Sequence, residues 1–262
     1  MLIDTHAHID FGDFENVEEI IENAQKAGVK KIIIPGVESS GFDRIMQLVD
    51  KYPCVYGMLG VHPNEARQYN DETGNIISAL AKHPKIVGIG EVGLDYYWDK
   101  SFADIQKEVF IKQIEIANKL QKTIVVHNRD AHADCFDILK KHRRPEINVV
   151  MHCFSGSVEF AEMCVKEGHY IALGGVVTFK NAKVPKHVAQ TISLENLLLE
   201  TDAPFLTPEP YRGKRNEPAY VKYVAEEIAR LREVSCDEIA KITTENAIKA
   251  FQMENGKWKM EN

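Results

Sequence analysis

Residues 2–8 read Leu2-Ile3-Asp4-Thr5-His6-Ala7-His8, a stretch that starts with two apolar residues and ends in two histidines separated by Ala7. Because successive side chains of a β-strand point to opposite faces, His6 and His8 share a face and can hold one metal ion. By itself, the pair is equally consistent with two satisfied polar residues at a strand end. The rest of the chain has to show whether other strands bring further ligands to the same place.

Short apolar runs recur along the rest of the chain, and amphipathic stretches separate them. This alternation predicts repeated strand and helix units around a parallel sheet. Eight such units in 262 residues predict an α/β protein with a (β/α)8 TIM barrel, a fold that typically needs about 250 residues. An open doubly wound sheet is the alternative, which the strand number and the absence of G-x-G-x-x-G after the first strand disfavour. The predicted strands are residues 2–6, 31–35, 55–60, 86–91, 123–127, 148–152, 170–173 and 197–201.

Amphipathic patterns predict the helices, and Gly28 and Gly168 stand where helix C-caps are expected. After the last strand we expect the eighth barrel helix and then one extra C-terminal helix that packs outside. Ser235 is a plausible N-cap for the extra helix, and Glu238 completes a capping box. No linker or repeat divides the chain, so we predict a single domain over residues 1–262. The predicted helices include residues 17–27, 42–51, 105–120, 133–141, 158–167, 217–232 and 236–251.

The composition, 44% hydrophobic and 27% charged, is typical of a globular protein. The N-terminus lacks a basic segment followed by an apolar one, and no apolar run approaches the roughly 18 residues that span a bilayer. We therefore expect a cytoplasmic protein with no membrane partner and no obligate protein partner. Five cysteines without a C-x-x-C pair predict reduced, mostly buried side chains. The net charge of -7 disfavours tracking along duplex nucleic acid, so such a substrate would enter by an end.

Metal-competent side chains lie at the C-terminal ends of further predicted strands, where barrel active sites form. Glu91 ends the fourth strand, His127 the fifth and His152 the sixth, and Asp202 follows the eighth. Buried carboxylates repel each other unless cations neutralise them, and the imidazoles around them suit zinc, manganese or nickel. Two divalent ions about 3.5 to 4 Å apart can stabilise both the attacking and the leaving oxygen of a phosphoryl displacement. The predicted ligands are His6, His8, Glu91 as the bridging candidate, His127, His152 and Asp202.

Asp202 lies in Glu200-Thr201-Asp202-Ala203-Pro204, where the proline turns the chain out of the strand. Its carboxylate can be a ligand and also the general base that activates water. Glu200 should share the inward face, and a role in orienting a ligand histidine is at least as consistent with its position as catalysis. His62 follows the third strand, where we favour contact with substrate or with a ligand. The other histidines are expected to be solvated: His83, His132, His142, His169 and His187.

Six short motifs spread over most of the chain are Asp4-Thr5-His6-Ala7-His8, Gly60-Val61-His62-Pro63, Gly90-Glu91-Val92-Gly93-Leu94-Asp95, His127-Asn128-Arg129, His152-Cys153-Phe154-Ser155-Gly156 and Glu200-Thr201-Asp202-Ala203-Pro204. Together they resemble the TatD family of metal-dependent deoxyribonucleases, within the wider amidohydrolase-like barrels. The resemblance implies hydrolysis of DNA, usually from the 3′ end of single strands, supported by Mg²⁺, Mn²⁺ or Zn²⁺. Asp202 and Glu91 are the predicted catalytic residues. The resemblance also implies one ion on His6, His8, Glu91 and Asp202 and another on Glu91, His127 and His152.

Residues that could contact a nucleic-acid end lie on the same predicted loops. Arg129 and Arg212 share loops with predicted ligands and suit bidentate phosphate binding. A surface salt bridge is the alternative for either arginine. The stretch Tyr96-Tyr97-Trp98 follows the fourth strand, where it can stack on an unpaired base or pack as a lid.

A small-molecule amidohydrolase or phosphoesterase would use the same fold and the same H-x-H pair. Many dinuclear amidohydrolases bridge their metals with a carboxylated lysine on the fourth strand, whereas this chain has Glu91 there and no lysine between residues 86 and 99. This difference favours the nuclease. A noncatalytic scaffold is a further alternative, which the complete ligand set disfavours. DNA versus RNA and exonuclease versus endonuclease action stay open at this point.

Overall fold

The computed structural model describes residues 1–253, in which eight parallel strands alternate with helices. Each strand pairs with the next one along the chain, from β1 to β8. This order confirms the predicted barrel, because a doubly wound sheet reverses its strand order at a switch point. Residues 254–262 lie outside the described residues, so the single domain over 1–262 stays a prediction. The strands are β1 (Leu2–Asp4), β2 (Val29–Ile34), β3 (Val55–Leu59), β4 (Ile86–Asp95), β5 (Thr123–Arg129), β6 (Val149–Met151), β7 (Tyr170–Leu173) and β8 (Leu197–Leu199).

The barrel closes where the chain continues beyond β1 and β8. The N–H of Asp202 donates to the carbonyl of His6 (2.9 Å), and the N–H of His8 donates to the carbonyl of Ala203 (2.8 Å). A parallel bridge pairs Ala7 with Ala203 between them. The two segments that carry predicted ligands from opposite ends of the chain therefore run side by side.

Helices cover the outside of the barrel, with their apolar faces against the sheet. Two of them were given no bounds in the sequence analysis: one contains Gly74 and the other Pro185, which weaken a helical pattern. The eighth helix begins at Val221, because Pro218–Tyr220 form a 3₁₀ turn at its predicted start. The α-helices within residues 1–253 are α1 (Val17–Lys26), α2 (Phe42–Lys51), α3 (Asp71–Leu80), α4 (Ala103–Leu120), α5 (His132–His142), α6 (Val158–Lys166), α7 (Lys183–Thr191), α8 (Val221–Arg232) and α9 (Cys236–Ala250).

The predicted helix caps are present. Gly28 and Gly168 follow α1 and α6 with φ of 88° and 80°, the left-handed conformation in which helices commonly end. At the start of α9, the N–H of Glu238 donates to the hydroxyl oxygen of Ser235 (3.1 Å). The helix ends predicted from Gly28, Gly168 and Ser235 therefore agree with the structure.

The interior of the barrel is filled by apolar side chains, so it is a packed core and not a pore. The last turn of α9 and Phe251 pack against this core. There the carbonyl of Ala250 accepts hydrogen bonds from Thr123 (2.5 Å) and Asn148 (3.0 Å) at the N-terminal ends of β5 and β6. The C-terminal helix thus lies outside the barrel, as the sequence predicted, and its last turn covers the N-terminal end. The inward layer consists of Ile3, Ile33, Met58, Val87, Val125, Val150, Ala172 and Leu198.

The five cysteines are free, in agreement with the predicted absence of disulfides. Cys135 and Cys164 are buried, but Cys54, Cys153 and Cys236 are partly exposed, so fewer are buried than the sequence predicted. None of the helices in residues 1–253 has both the length and the apolarity to cross a bilayer. The cytoplasmic location stays a prediction.

His169 is buried, although the sequence predicted a solvated side chain. It is 2% exposed, just before β7, and its Nδ1 atom has no hydrogen-bond partner. Burial, together with the nearby charge of Arg143, lowers the pKa of His169 to about 3. A position at the N-terminal end of a strand indicated exposure, but α5 and α6 cover this end through contacts such as that between the rings of Phe136 and His169 (6.2 Å).

His169 should make the protein sensitive to mild acid. Its pKa rises on unfolding from about 3 to about 6.5. Its contribution to stability is therefore complete above pH 6.5 and is lost as the pH falls toward 3, because the unfolded chain binds the extra proton. At pH 5 the loss is about 2 kcal/mol. Urea denaturation at pH 7 and pH 5 should show that His169→Gln loses less unfolding free energy between the two pH values than the wild type. Equal losses would contradict this role.

Candidate metal centre

Six side chains meet at the C-terminal end of the barrel, and they are the six predicted ligands. The His6 Nε2 atom lies 3.4 Å from Glu91 Oε2, and the His8 Nε2 atom lies 3.6 Å from Asp202 Oδ1. His152 Nε2 lies 3.5 Å from Glu91 Oε1. The structure therefore brings together nitrogen and oxygen donors from β1, β4, β5, β6 and β8 or the residues directly after them.

Glu91 stands at the centre of this cluster, and its two carboxylate oxygens face different histidines. Oε2 faces His6 (3.4 Å) and His8 (3.9 Å). Oε1 faces His127 (2.8 Å) and His152 (3.5 Å). Glu91 is only 4% exposed, so its charge has to be balanced by these neighbours or by a cation. A carboxylate placed between two groups of histidines has the arrangement of a bridging ligand.

The donor atoms fit a divalent cation. The donor atoms of His6, His8 and Glu91 lie within 4.8 Å of one another, as do those of Glu91, His127 and His152. The Nε2 atoms of His6 and His8 are 3.3 Å apart and face the same point. Imidazole nitrogens and carboxylate oxygens are the ligands that zinc and manganese accept. The histidines and the glutamate are therefore placed so that they could hold a divalent cation, as the sequence predicted.

Charges inside the cluster keep the carboxylates ionised. Burial opposes ionisation of Glu91, but the charge of His152 and the hydrogen bonds with His127 and His6 outweigh it and hold its pKa well below the usual range. Burial likewise disfavours the charged form of His152, yet the charges of Glu200 and Glu91 raise the pKa of His152 to about 10. A metal ion and these protons compete for the same lone pairs, so metal binding must release protons.

Asp202 is the most accessible carboxylate of the cluster, with 15% of its side chain exposed against 5% for Glu91. Its backbone has φ of 55°, a left-handed conformation that aspartate tolerates better than most residues. Burial raises the pKa of Asp202, but the hydrogen bond with His8 and the charge of His152 outweigh it and lower the pKa. Asp202 is thus an ionised carboxylate open to the cavity.

Two buried carboxylates orient histidines from behind. Glu200 Oε2 lies 3.0 Å from His152 Nδ1, and Glu200 Oε1 accepts the N–H of Cys153 (2.7 Å). Asp95 Oδ2 lies 3.0 Å from His127 Nε2. Such contacts fix the tautomer and the ring orientation of ligand histidines. They leave Nε2 of His152 and Nδ1 of His127 facing Glu91.

Asp95 was not recognised as a functional residue in the sequence, although it lies in the motif that contains Glu91. The signal was its spacing: residues 91, 93 and 95 share one face of a strand. The missing information was the length of β4, which continues to Asp95 because Gly93 pairs with His127. A Cβ atom at Gly93 would lie 2.1 Å from the His127 carbonyl oxygen, so only glycine allows the two strands this approach. The pairing places Asp95 beside the ring of His127.

Glu200→Gln should weaken metal binding without removing a donor atom that faces Glu91. The amide cannot supply the negative charge that holds His152 Nδ1–H, so we expect about 10-fold to 100-fold lower metal affinity. Competition with a chelator measures this affinity. Glu195→Gln, an exposed glutamate just before β8, is the matched control and should bind metal like the wild type. Unchanged affinity in Glu200→Gln would show that Glu200 does not support the ligand.

A cavity of about 730 Å³ opens above the cluster. His62 forms part of its wall, with Nε2 3.7 Å from Glu91 Oε1. Burial and the charge of His127 lower the pKa of His62 to about 3, so the ring is neutral. Because His62 Nδ1 accepts the N–H of Asn64 (3.1 Å), its proton resides on Nε2, which faces the cluster. A neutral donor at this place can bind an anionic oxygen.

The two predicted phosphate-binding arginines lie in different places. Arg129 lines the cavity, and its guanidinium lies over the ring of Tyr97 (3.9 Å). Arg212 lies over the ring of Phe179 (3.6 Å) and is not among the residues that line the cavity. Only Arg129 is therefore brought to the cluster, and substrate contact by Arg212 stays a prediction.

The remaining aromatic residues that the sequence singled out follow β4. The Tyr96 hydroxyl donates to Asp134 (2.6 Å), which directs that side chain away from the cavity. Tyr97 and Trp98 are 54% and 67% exposed, and Trp98 lines the cavity. Trp98 is therefore not packed against the barrel as a lid.

Comparison with known proteins agrees with this geometry. Residues 3–252 match the family described as TatD related DNase. The chain is 48% identical over 254 residues to YabD of Bacillus subtilis (strain 168), named an uncharacterized metal-dependent hydrolase, with 97% of this chain and 100% of YabD covered. It is 36% identical over 258 residues to YcfH of Escherichia coli (strain K12), which carries the same description, with 97% and 96% covered.

A solved structure is also similar. The crystal structure of YjjV, a TatD homologue from Escherichia coli K12, superposes with a TM-score of 0.91 at 34% identity. The match covers 97% of this chain and 98% of that one. The family resemblance, the barrel and the metal-dependent hydrolase class expected from the sequence are thereby confirmed.

Proposed function

This chain belongs to the TatD related DNase family of metal-dependent hydrolases, and on that premise we propose that it hydrolyses phosphodiester bonds at the 3′ ends of single-stranded DNA. The observation that supports this most directly is the position of Glu91, whose two oxygens face separate groups of histidines beneath an open cavity. A pair of cations on either side of one carboxylate suits the in-line displacement of a phosphodiester.

Two divalent ions are part of this proposal. His6, His8, Glu91 and Asp202 would hold one, and Glu91, His127 and His152 the other. Such ions supply Lewis acidity toward phosphoryl oxygens and lower the pKa of water toward about 7. Mg²⁺, Mn²⁺ and Zn²⁺ are the candidates, and the number of histidine nitrogens favours Mn²⁺ or Zn²⁺ over Mg²⁺.

Asp202 is the proposed general base. Its ionised carboxylate is the one most open to the cavity, so it can accept a proton from water that attacks the phosphorus. Its Oδ1 atom is held 3.6 Å from His8 Nε2 and 3.8 Å from His6 Nε2, which fixes its orientation. Because Asp202 lies beside the histidine nitrogens that would hold the metal, transfer of one proton from the attacking water to its carboxylate would activate that water.

His62 and Arg129 are the proposed contacts to the scissile phosphate. Neutral His62 can donate Nε2–H to a phosphate oxygen without repelling a cation. Arg129 forms no ion pair with any carboxylate of residues 1–253, and stacking on Tyr97 leaves the edge of its guanidinium for a phosphate. Both residues line the cavity, so a strand end placed there would meet them together.

The test is cleavage of a 5′-labelled single-stranded oligonucleotide by metal-stripped protein, alone and with Mg²⁺, Mn²⁺ or Zn²⁺ restored. We expect a ladder that shortens from the 3′ end only when metal is present. Duplex DNA, single-stranded RNA and a 3′-phosphorylated strand are tested in parallel. They show whether cleavage requires a single strand, deoxyribose and a free 3′ hydroxyl group. If no ion restores cleavage, the nuclease proposal is wrong, and simple carboxylic esters and amides should then be tested as substrates.

A further inference from the structure

Exposed aromatic side chains are concentrated at one place on the protein. Among residues 1–253, the aromatic side chains with more than half of their surface exposed are Tyr97, Trp98 and Phe205, at 54%, 67% and 52%. Trp98 and Phe205 line the cavity above the metal centre, and Tyr97 is adjacent to Trp98. An exposed aromatic ring at a cavity wall retains apolar area for a ligand.

Trp98 and Phe205 lie on opposite sides of the cavity. Trp98 follows β4 and Phe205 follows β8, and the strands run around the barrel in the order β1 to β8. The two loops are therefore half a turn of the barrel apart. The metal centre lies between them, because Glu91 of β4 and Asp202 after β8 belong to the same cluster.

The wall of the cavity that contains Tyr97 and Trp98 is connected to the metal centre by hydrogen bonds of Asp95. One oxygen of Asp95 accepts the N–H groups of Tyr97 (2.9 Å) and Trp98 (3.2 Å). The other oxygen lies 3.0 Å from His127 Nε2. Arg129 extends this wall, with its guanidinium 5.7 Å from the Trp98 ring. The position of Trp98 is thus fixed relative to a ligand histidine.

The wall that contains Phe205 is attached in a similar way on the other side. The Phe205 N–H donates to the carbonyl of Asp202 (2.9 Å). Phe11 stacks on the ring of His8 (4.5 Å between centroids), and the Phe205 ring lies 6.5 Å from Phe11. This wall is therefore an aromatic surface that begins at a ligand histidine.

We propose that Trp98 and Phe205 bind two unpaired nucleobases, one on each side of the scissile phosphate. This inference rests on the proposed nuclease function and names the positioning residues of its substrate. A base can stack on an aromatic ring only when its face is free, so two opposed walls select a single-stranded end over a duplex. Stacking tolerates any sequence because every base has an aromatic face. The phosphate between the two bases is then held over the metal centre.

The test combines protein variants with substrates that lack one base. Single-stranded oligonucleotides of one length are prepared with an abasic 3′-terminal nucleotide, an abasic penultimate nucleotide or neither, and KM and kcat are measured for the first cleavage. On the intact strand, Trp98→Ala and Phe205→Ala should each raise KM about tenfold. For each alanine variant, one of the two abasic strands should give the same KM as the intact strand, because the base that it lacks no longer has a ring to stack on. That strand should be a different one for Trp98→Ala than for Phe205→Ala.

Two controls separate stacking from a general effect on structure. Trp98→Phe keeps an aromatic face and should restore most of the affinity lost in Trp98→Ala. Met163→Ala removes an exposed apolar side chain of α6 that does not line the cavity, and it should leave KM unchanged.

The inference is overturned if KM changes less than twofold in both alanine variants, or if both variants respond to the same missing base. Absence of cleavage by the wild type would overturn the nuclease function and this inference together, which is a different result from an active enzyme that ignores both substitutions.

Discussion

Glu91→Gln is expected to abolish metal-dependent hydrolysis, with a loss in kcat/KM of at least about 10⁴-fold. The amide keeps the shape of the side chain but provides only one oxygen and no charge. Both oxygens of Glu91 face histidine donors in the structure, Oε2 toward His6 and Oε1 toward His127. A single substitution therefore weakens both groups of donors: His127 and His152 are left without a charged partner in their group, and His6 and His8 keep only the carboxylate of Asp202.

Metal content provides the direct measurement for Glu91→Gln. After metal loading and gel filtration, elemental analysis should find little metal in the variant compared with the wild type. The fold should survive, because the substitution removes a buried negative charge from a cluster of histidines that are then free to lose protons. A variant that keeps both the metal content and the activity of the wild type would refute the bridging role of Glu91.

Asp202→Asn should lower kcat by about 10³-fold, the usual contribution of a general base. The loss differs from that of Glu91→Gln because Asp202 is not among the donors formed by Glu91, His127 and His152. Those three side chains should still hold a cation. The variant should therefore retain part of the metal of the wild type while it loses turnover, and KM should change little because the cavity wall is intact.

Single-turnover kinetics distinguish this outcome from a defect in binding. With enzyme in excess over a labelled strand, Asp202→Asn should bind the strand but cleave it at the reduced rate. If excess metal restored full turnover, Asp202 would be a ligand only and the base would have to be another group.

The fold and the meeting of the six candidate ligands were predictable because both follow from short-range periodicity. The alternation of apolar runs fixed the strand order of the barrel, and strand ends are where a barrel collects its functional groups. His6, His8, Glu91, His127, His152 and Asp202 all meet in the structure for this reason. The candidate ligands could therefore be named before any contact was known.

The features that the sequence did not reveal depend on partners far along the chain. Asp95 approaches His127 because β4 is longer than its apolar run, and the extension depends on pairing with β5. His169 is buried by neighbouring helices, and the periodicity of the sequence predicts these helices but not that they cover the start of β7. The last turn of α9 resembles any amphipathic segment, and only the open end of the barrel explains why Phe251 is buried there. Tertiary contacts decide each of these cases.

The closure of the barrel between the segments after β1 and β8 has a consequence for synthesis of the protein. His6 and His8 are synthesised before β2 to β8, whereas Asp202 and Ala203 are synthesised only after all of these strands. The hydrogen bonds that align these segments cannot form before both are outside the exit tunnel. A growing chain thus carries His6 and His8 without Asp202 until β8 has been synthesised. The segments that carry His6, His8 and Asp202 therefore become aligned only when the last strand joins the first.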